Sequence, residues 1–331
     1  MQMTQSRRDF LVSTSLATAG VLGPGASLAD EPPPETTTIR LGFWPASACV
    51  AAQTVVEGLL RAEGFTEVHL APVSHIDSVA RGELDFDSEN APWLVAQVDA
   101  GEPITVLSGM HVGCYELFVH EPIRTVADLK GTRVGIDYLG GGVQLYLAVM
   151  VAQVGLDPAR DIEWVPNPDG TLLDQFAAGK IDAILAFPPE PQELRARKIG
   201  RAILNTAMDV PWSHYFCCMF YGRRQFVRDY PVATKRFLRA VLKASDMCAL
   251  QPELAVQRLV DAGFTGNYDY ALQTLRELPY DKWRTFDPED SLRFFALRLS
   301  EVDMVQSSPN KIIAEGTDWR FLNELKRELK A

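Results

Sequence analysis

The feature that most constrains the fold is a pattern of strands, helices and glycines that occurs twice along the chain. Each copy has a short apolar strand, a helix that stops at a glycine, a second strand, a second helix that stops at a glycine, and a third strand. Corresponding glycines are 93, 91 and 97 residues apart, in the pairs Gly42 with Gly135, Gly64 with Gly155, and Gly82 with Gly179. The repetition predicts two similar β-α-β-α-β units.

Alternation of short strands with helices of about ten residues indicates parallel sheets with right-handed crossovers. A single large Rossmann-like sheet would carry the same alternation. Two strand-to-helix turns, at residues 44–48 and 138–142, both have the character of a first unit, which favours two sheets over one. The expected fold class is therefore α/β, with two doubly wound lobes.

The pattern changes beyond Gly222, where helical segments follow one another. These helices need a surface on which to bury their apolar faces. We therefore predict that lobe I comprises residues 39–122 plus 222–331, and that lobe II comprises residues 123–221. The two crossings form a hinge. The cleft between the lobes then lies at the carboxyl ends of strands, where α/β folds bind ligands.

The N-terminus carries the pattern of an export signal. Arg7 and Arg8 form a twin-arginine motif, and a weakly apolar stretch rich in Gly, Ala and Ser follows them. That stretch has roughly 16 residues, whereas a membrane span needs about 20. We expect a signal peptide over residues 1–29, recognised by the twin-arginine export machinery and cleaved near Ala29. A tether over residues 30–38 would follow in the periplasmic protein.

Composition excludes several classes of protein. Of the 331 residues 47% are apolar, which is enough for a sizeable core. The 43 acidic side chains outnumber the 32 basic ones and give a net charge of -11, so no basic face for nucleic acid is expected. The 5 cysteines form no C-x-x-C pair and the 5 histidines form no metal-binding motif. The sequence therefore predicts no disulfide scaffold, no metal site and no bound cofactor.

A set of motifs, in order, resembles the periplasmic solute-binding proteins of ABC importers, in the nitrate, taurine and alkanesulfonate group that includes the thiamine-precursor binders. The segments that carry the resemblance are 39–44, 80–85, 126–135, 154–158, 178–183, 308–313 and 319–322. The resemblance implies a type II periplasmic-binding-protein fold and closure of the lobes like a Venus flytrap. It also implies a small-molecule ligand, delivered to a permease in the inner membrane.

Four loops are expected to reach the cleft. In the first, Trp44 could stack on a planar ligand or simply pack between the lobes. In the second, Ser88 or Asn90 could contact ligand or cap the next helix. The third is rich in glycine, and the fourth is rich in proline. The predicted ligand-binding residues are Trp44, Ser47, Ser88, Glu89, Asn90, Tyr138, Gly140, Gly141, Gly142, Gln144, Phe187 and Glu190.

The charges of these loops indicate a class of ligand. None of the four contains Lys or Arg, while Glu89, Asp137 and Glu190 supply carboxyl groups. A sulfonate or nitrate would need a cation or many N–H donors. The sequence therefore favours a neutral or cationic nitrogenous ligand, such as a pyrimidine or an amine. Because helix N-termini alone can bind anions, a sulfonate or organic acid stays open as an alternative.

Adjacent cysteines, Cys217 and Cys218, lie in an otherwise apolar and aromatic run. The pyrimidine synthases of thiamine biosynthesis carry a cysteine-rich run at this place, of which only the first two cysteines and a Phe match. Those relatives are iron-dependent cytosolic enzymes, whereas this chain has an export signal, so we expect a binding protein and not an enzyme. The simplest interpretation is a buried strand in which cysteine acts as a small apolar residue. A pyrimidine-synthase enzyme and a ligand-sensing partner of a membrane receptor are the alternatives.

Overall fold

Ten strands occur in the described part of the chain, which comprises residues 31–44, 47–73, 77–167 and 172–329 of the computed structural model. The strands are β1 (Thr38–Phe43), β2 (Glu67–Pro72), β3 (Phe86–Asn90), β4 (Ile104–Val112), β5 (Glu116–Val119), β6 (Arg133–Ile136), β7 (Glu163–Pro166), β8 (Ala183–Ala186), β9 (Arg201–Asn205) and β10 (Phe216–Arg223). They form two sheets, in the orders β2-β1-β3-β10-β4 and β7-β6-β8-β5-β9. The prediction of two sheets is confirmed. The predicted signal peptide lies outside the described residues.

Each sheet is parallel except for one strand. Strand β1 pairs in parallel with β2 and β3, and β6 pairs in parallel with β7 and β8. Strand β10 runs antiparallel between β3 and β4, and β5 runs antiparallel between β8 and β9. In both sheets the exceptional strand is the one by which the chain arrives from the other sheet.

The repeat found in the sequence has a structural counterpart in two arginine–aspartate pairs. The backbone N–H of Arg40 donates to Asp85 Oδ2 at 2.9 Å, and Arg40 Nη2 donates to Oδ1 at 2.7 Å. Arg133 makes the same two bonds to Asp182, at 2.8 and 2.7 Å. Each aspartate immediately precedes the third strand of its unit, so each pair fastens that strand to the first strand.

Helices cover both sheets and form the C-terminal part of the chain. Their bounds are α1 (Ala51–Thr54), α2 (Glu57–Ala62), α3 (Ala91–Asp99), α4 (Gly142–Gln153), α5 (Leu172–Ala177), α6 (Glu190–Arg197), α7 (Arg224–Asp229), α8 (Pro231–Leu250), α9 (Pro252–Asp261), α10 (Tyr268–Glu277), α11 (Pro288–Ser300), α12 (Pro309–Gly316) and α13 (Arg320–Glu328). Helix α8 packs against α1, α2 and α13, and α8, α12 and α13 all contact β4 of the first sheet. No helix of the described ranges is long and apolar enough to cross a membrane.

One predicted helix, before Gly82, is wrong. Residues 77–82 form turns, in which Arg81 N–H bonds to Asp77 O at 2.9 Å, while residues 74–76 lie outside the described part. The N–H groups of Glu83 and Leu84 both bond to Ser78 O, at 2.9 and 3.2 Å, so the chain turns back at Gly82 toward β3 instead of continuing as a helix.

The chain passes between the sheets twice, at residues 113–115 and at residues 206–215. Thr206 fastens the two passages to each other. Its hydroxyl oxygen accepts the N–H groups of Cys114 (3.1 Å) and Tyr115 (2.9 Å), and the hydroxyl donates to Tyr115 O (3.0 Å). The hydrogen bonds of Thr206 therefore join the two crossings that form the predicted hinge. The predicted lobe boundaries, at 122 and 222, come later than these passages, because β5 pairs within the second sheet and β10 within the first.

Helix α4 is buried at every position from Gly142 to Val151, and it packs against α3 and α11. The Tyr146 ring shows this arrangement. Its centroid lies 5.1 Å from that of Phe295 on α11, 5.1 Å from Tyr115 and 5.9 Å from Trp212 in the two crossings. The two lobes therefore share one apolar core around this helix.

The two arginine–aspartate pairs differ in burial, which allows a matched stability test. The Asp85 side chain is 4% exposed and also lies 3.5 Å from Arg223, whereas the Asp182 side chain is 31% exposed. We expect Asp85→Asn to lower the free energy of unfolding by about 3 kcal/mol, because the buried side chain loses its charge-assisted hydrogen bonds with Arg40. Asp182→Asn should lower it by only about 1 kcal/mol. Urea unfolding followed by circular dichroism measures both, and equal losses would contradict this account.

Candidate functional site

A cavity of about 490 Å³ lies between the two sheets, where the carboxyl ends of β1, β3, β6, β7 and β8 converge. The start of β10 reaches the same edge because this strand is antiparallel. Since each of these strands ends at the cavity, its lining comes from loops and strand ends and not from one continuous segment. The lining residues are Trp44, Ser47, Cys49, Val50, Ser88, Glu89, Asn90, Cys114, Tyr115, Asp137, Tyr138, Gly142, Val143, Asn167, Phe187 and Cys218.

Most of the predicted ligand-binding residues are brought together here, namely Trp44, Ser47, Ser88, Glu89, Asn90, Tyr138, Gly142 and Phe187. Four predicted residues lie outside the lining: Gly140, Gly141, Gln144 and Glu190. Local hydrogen bonds explain two of these. Gln144 Oε1 accepts the Gly140 N–H at 2.6 Å, so this side chain folds back on its own turn. Glu190 Oε2 accepts the Phe187 N–H at 3.4 Å and so turns toward its own loop instead of the cavity.

Other lining residues were not predicted as ligand-binding: Cys49, Val50, Cys114, Tyr115, Asp137, Val143, Asn167 and Cys218. Cys114 and Tyr115 lie in the first crossing between the sheets, for which no periodic pattern exists. Asp137 was recognised only as a charge at the start of the glycine-rich loop. For Cys218, the adjacent pair of cysteines was the available signal.

The glycine-rich turn allows the second lobe to approach Asn90. A Cβ atom at Gly142 would lie 1.9 Å from Asn90 Nδ2. Asn90 is held in place, because Oδ1 accepts the Trp93 N–H at 3.0 Å and Nδ2 donates to Glu89 Oε1 at 2.7 Å. Of the two candidates for the cap of α3, Asn90 is therefore the one that caps it. Ser88 instead donates its hydroxyl to Gln53 Oε1 at 2.5 Å.

Carboxyl groups and aromatic rings both line the cavity. Burial raises the pKa of Glu89 well above its usual range, against the lowering effect of the Asn90 N–H, and burial also raises the pKa of Asp137. No Lys or Arg occurs among the described lining residues. A cation in the cavity would stabilise the ionised form of both carboxyl groups.

One end of the cavity carries a cluster of cysteines with a histidine. Cys49, Cys114 and Cys218 line the cavity, while Cys217 and His111 are buried behind them. The ligand atoms of Cys49, His111 and Cys114 all lie within 4.8 Å of one another, as do those of Cys114, Cys217 and Cys218. All of these cysteines are free thiols. The cluster could not be predicted from the sequence because its members come from three separate segments, at residues 49, 111–114 and 217–218.

The cluster shifts the protonation of its own members. Burial lowers the pKa of His111, but the sulfur atoms of Cys218 and Cys49 raise it, to about 10 in sum. Burial raises the pKa of Cys217, but hydrogen bonds with Cys114 and Cys218 outweigh this and lower it to about 7. A hydrogen bond with Cys114 is the main cause that lowers the pKa of Cys218. These shifts favour thiolate, the nucleophilic and metal-binding form of cysteine, at Cys217 and Cys218, whereas burial raises the pKa of Cys114 well above its usual range.

Two lobes with a cavity at converging strand ends define the architecture of a periplasmic binding protein, as predicted. Residues 32–259 match the NMT1-like family, and the chain belongs to this family. The nitrate/nitrite binding protein NrtA of Nostoc sp. (strain PCC 7120) is 23% identical to the chain, with 73% of this chain and 66% of that protein covered. The chain thus spans less than two thirds of the length of this relative.

Two solved structures are similar to this fold. The periplasmic nitrate-binding protein NrtA from Synechocystis PCC 6803 is 16% identical and has a TM-score of 0.77, with 90% of each chain covered. The alkanesulfonate-binding protein SsuA from Xanthomonas axonopodis pv. citri, bound to MOPS, is 17% identical and has a TM-score of 0.71, with 86% of this chain and 99% of that chain covered. The expected type II periplasmic-binding-protein fold is confirmed.

The close approach at Gly142 can be tested by a single methyl group. We expect Gly142→Ala to lower the free energy of unfolding by about 1–3 kcal/mol or to separate the lobes, because Asn90 cannot retreat without losing its bond to α3. Urea unfolding and the radius of gyration from small-angle X-ray scattering report the two effects. Gly58→Ala, on α2 with nothing within 4 Å of the new methyl, is the control and should not destabilise the protein. Wild-type stability and radius of gyration in both variants would show that Gly142 and Asn90 are not in tight contact.

Glu190 supplies a pH-dependent test. Burial raises its pKa from 4.5 to about 7, so between these pH values the folded state holds a proton that the unfolded chain has released. This contribution to stability is complete below about pH 4.5 and is lost as the pH rises through 7. Glu190→Gln should therefore gain stability over the wild type on going from pH 5 to pH 8, by about 2 kcal/mol. Glu193→Gln, on the same helix, should show no such gain, and a flat difference for Glu190→Gln would contradict the assigned burial.

Proposed function

We propose that this protein is exported to the periplasm by the twin-arginine pathway, captures a small organic ligand between its lobes, and delivers it to the permease of an ABC importer. It acts by reversible binding and not as an enzyme. The observation that carries the proposal is the cavity between two hinged lobes, lined by aromatic rings and carboxyl groups. Membership of the NMT1-like family and the export pattern around Arg7 and Arg8 support it.

The lining favours a nitrogenous ligand, such as an amine or a pyrimidine. Trp44, Tyr138 and Phe187 offer ring faces on which a planar or cationic group can stack. Glu89 and Asp137 offer acceptors for N–H groups, and their buried carboxyls gain most from a positively charged partner. The aromatic rings and the carboxyl groups together favour a ligand with an apolar or planar body and nitrogen donors.

Closure of the lobes supplies the binding mechanism. In the present arrangement Ser47 Oγ donates to Pro188 O at 3.3 Å across the cavity. Arg195 on α6 pairs with Glu277 on α10 at 2.9 Å, and so joins the second lobe to the C-terminal helices. Opening the cleft would break both contacts, and a ligand held by both lobes would favour closure by its greater affinity for the closed form. A permease could then distinguish the loaded protein from the empty one by shape.

A sulfonate or organic acid is the second candidate ligand. The relatives described above are nitrate and alkanesulfonate binders by name, and the N-terminus of α4 contributes Gly142 and Val143 to the cavity. Free N–H groups at such an end attract anions. The absence of Lys and Arg among the described lining residues weighs against this candidate, because no side-chain cation would balance the charge of the bound anion.

A thermal-shift screen of the chain from Asp30 onward tests the ligand class, since a ligand bound only by the folded state raises the melting temperature. The panel comprises amines, pyrimidines, thiamine precursors, aromatic acids and sulfonates. We expect hits among the nitrogenous bases. For such a hit, Glu89→Gln and Trp44→Ala should each weaken binding by at least about tenfold, which corresponds to loss of one charged or stacking contact.

Glu163→Gln, on the exposed edge of β7 and outside the cavity, is the matched control and should bind as the wild type does. Hits confined to sulfonates or carboxylates, strengthened by Glu89→Gln, would support the second candidate. Unchanged affinity in both cavity variants would show that the ligand does not bind in this cavity. Consumption of the ligand during incubation would contradict the proposed role as a binding protein.

A further inference from the structure

The cluster at the end of the cavity has the donor set of a metal site. Cys49 follows β1, His111 lies at the end of β4, and Cys114 lies in the first crossing, yet their ligand atoms lie within 4.8 Å of one another. Cys218 Sγ on β10 lies within 4.8 Å of Cys114 Sγ, and Cys218 lies opposite His111 in the register of β10 with β4. Three thiols and one imidazole are a set that binds zinc tetrahedrally in many proteins.

The orientation of His111 points to the same conclusion. Its Nδ1 lies 2.7 Å from Gly113 O, and because a carbonyl oxygen only accepts, Nδ1 carries the proton. A bound metal ion would replace the second ring proton, and the Nε2 lone pair would then coordinate the ion. Nε2 is buried and, within the described residues, has no hydrogen-bond partner. A ring nitrogen fixed from behind by a carbonyl and facing sulfur atoms is the arrangement of a metal-bound histidine.

Packing of cysteine as a small apolar residue does not account for this cluster. Cys248 is the example of that behaviour: it is buried in α8, and burial alone raises the pKa of its thiol. In the cluster, by contrast, Cys114 Sγ lies 3.3 Å from Cys217 Sγ. The buried Nε2 of His111 has no hydrogen-bond partner among the described residues. An unpaired buried nitrogen is costly, and a metal ion would satisfy it.

We propose that Cys49, His111, Cys114 and Cys218 bind a thiophilic divalent metal ion of the zinc class at the end of the cavity. Zn²⁺ suits the mixed sulfur and nitrogen donors and needs no change of oxidation state. Binding releases the thiol protons as the thiolates form, so affinity rises with pH. Because three of the four ligands also line the cavity, the ion would lie where a bound small molecule could reach it. Cys217, which contacts Cys114, lies behind the site.

Cobalt(II) titration of the fully reduced protein, without oxygen, tests the proposal. The protein is first reduced until all 5 thiols react in denaturant. Co²⁺ should then give a thiolate-to-cobalt charge-transfer band and the intense visible bands of tetrahedral cobalt, saturating at one equivalent, and Zn²⁺ should abolish them. Zn²⁺ should also raise the melting temperature. Absence of the charge-transfer band, or saturation at several equivalents, would overturn the proposal.

Variants separate the proposed ligands from their neighbours. Cys114→Ala should weaken Co²⁺ binding and lower the intensity of the charge-transfer band, because it removes one of three thiolates, and His111→Gln should weaken Co²⁺ binding by at least about 100-fold while its circular dichroism spectrum stays native. Cys248→Ala is the matched control, since it removes a buried thiol outside the cluster, and should bind as the wild type does. Wild-type affinity and full band intensity in Cys114→Ala would overturn the proposal. Loss in Cys217→Ala with full retention in Cys49→Ala would also overturn the assigned ligands. The proposed transport function does not depend on this site, and the thermal-shift screen tests that function separately.

Discussion

The return of the chain to the first sheet as β10 is the constraint on which the rest of the structure depends. This strand inserts antiparallel between β3 and β4, so its start lies at the edge where the parallel strands end. The register places Cys218 opposite Asn90 on one side and opposite His111 on the other. One strand therefore completes the first sheet, closes the second crossing and brings sulfur to the cavity beside the cap of α3.

The hinge and the cavity are parts of one arrangement. Thr206 binds the first crossing to the second, and Cys114 and Tyr115, which it holds, also line the cavity. Movement of the lobes would therefore act directly on cavity residues. Helix α4 links the same region to the C-terminal helices through Tyr146, while its first residue, Gly142, lets Asn90 approach. Ligand binding and closure can thus be coupled through short contacts and need no long pathway.

Much of the fold and part of the site were predictable from local patterns. The two copies of the β-α-β-α-β unit were visible because glycine stops and strand periodicity are local properties, and the Arg40–Asp85 and Arg133–Asp182 pairs repeat them in three dimensions. Because Glu89 lies near the end of β3 and Phe187 directly follows β8, both were placed correctly in the cavity lining. Gln144 and Glu190 were not, since a side chain in a loop can bond to its own turn, which sequence spacing does not reveal. The direction in which a strand pairs leaves no mark on the periodicity of its sequence. The antiparallel pairing of β5 and β10, which sets where the chain crosses between the sheets, could therefore not be predicted.

The sequence by itself determined the two α/β units, the helical C-terminal part, the acidic balance of the cleft loops and the resemblance to solute-binding proteins, because each of these depends on residues close together in the chain. Only the tertiary structure decided which residues meet at the cavity and that cysteines from different segments gather beside His111 there. Cys49, His111 with Cys114, and Cys218 come from three separate segments, and each looks like an ordinary buried residue. Their proximity follows from strand order and pairing direction, which are long-range properties that no local pattern encodes.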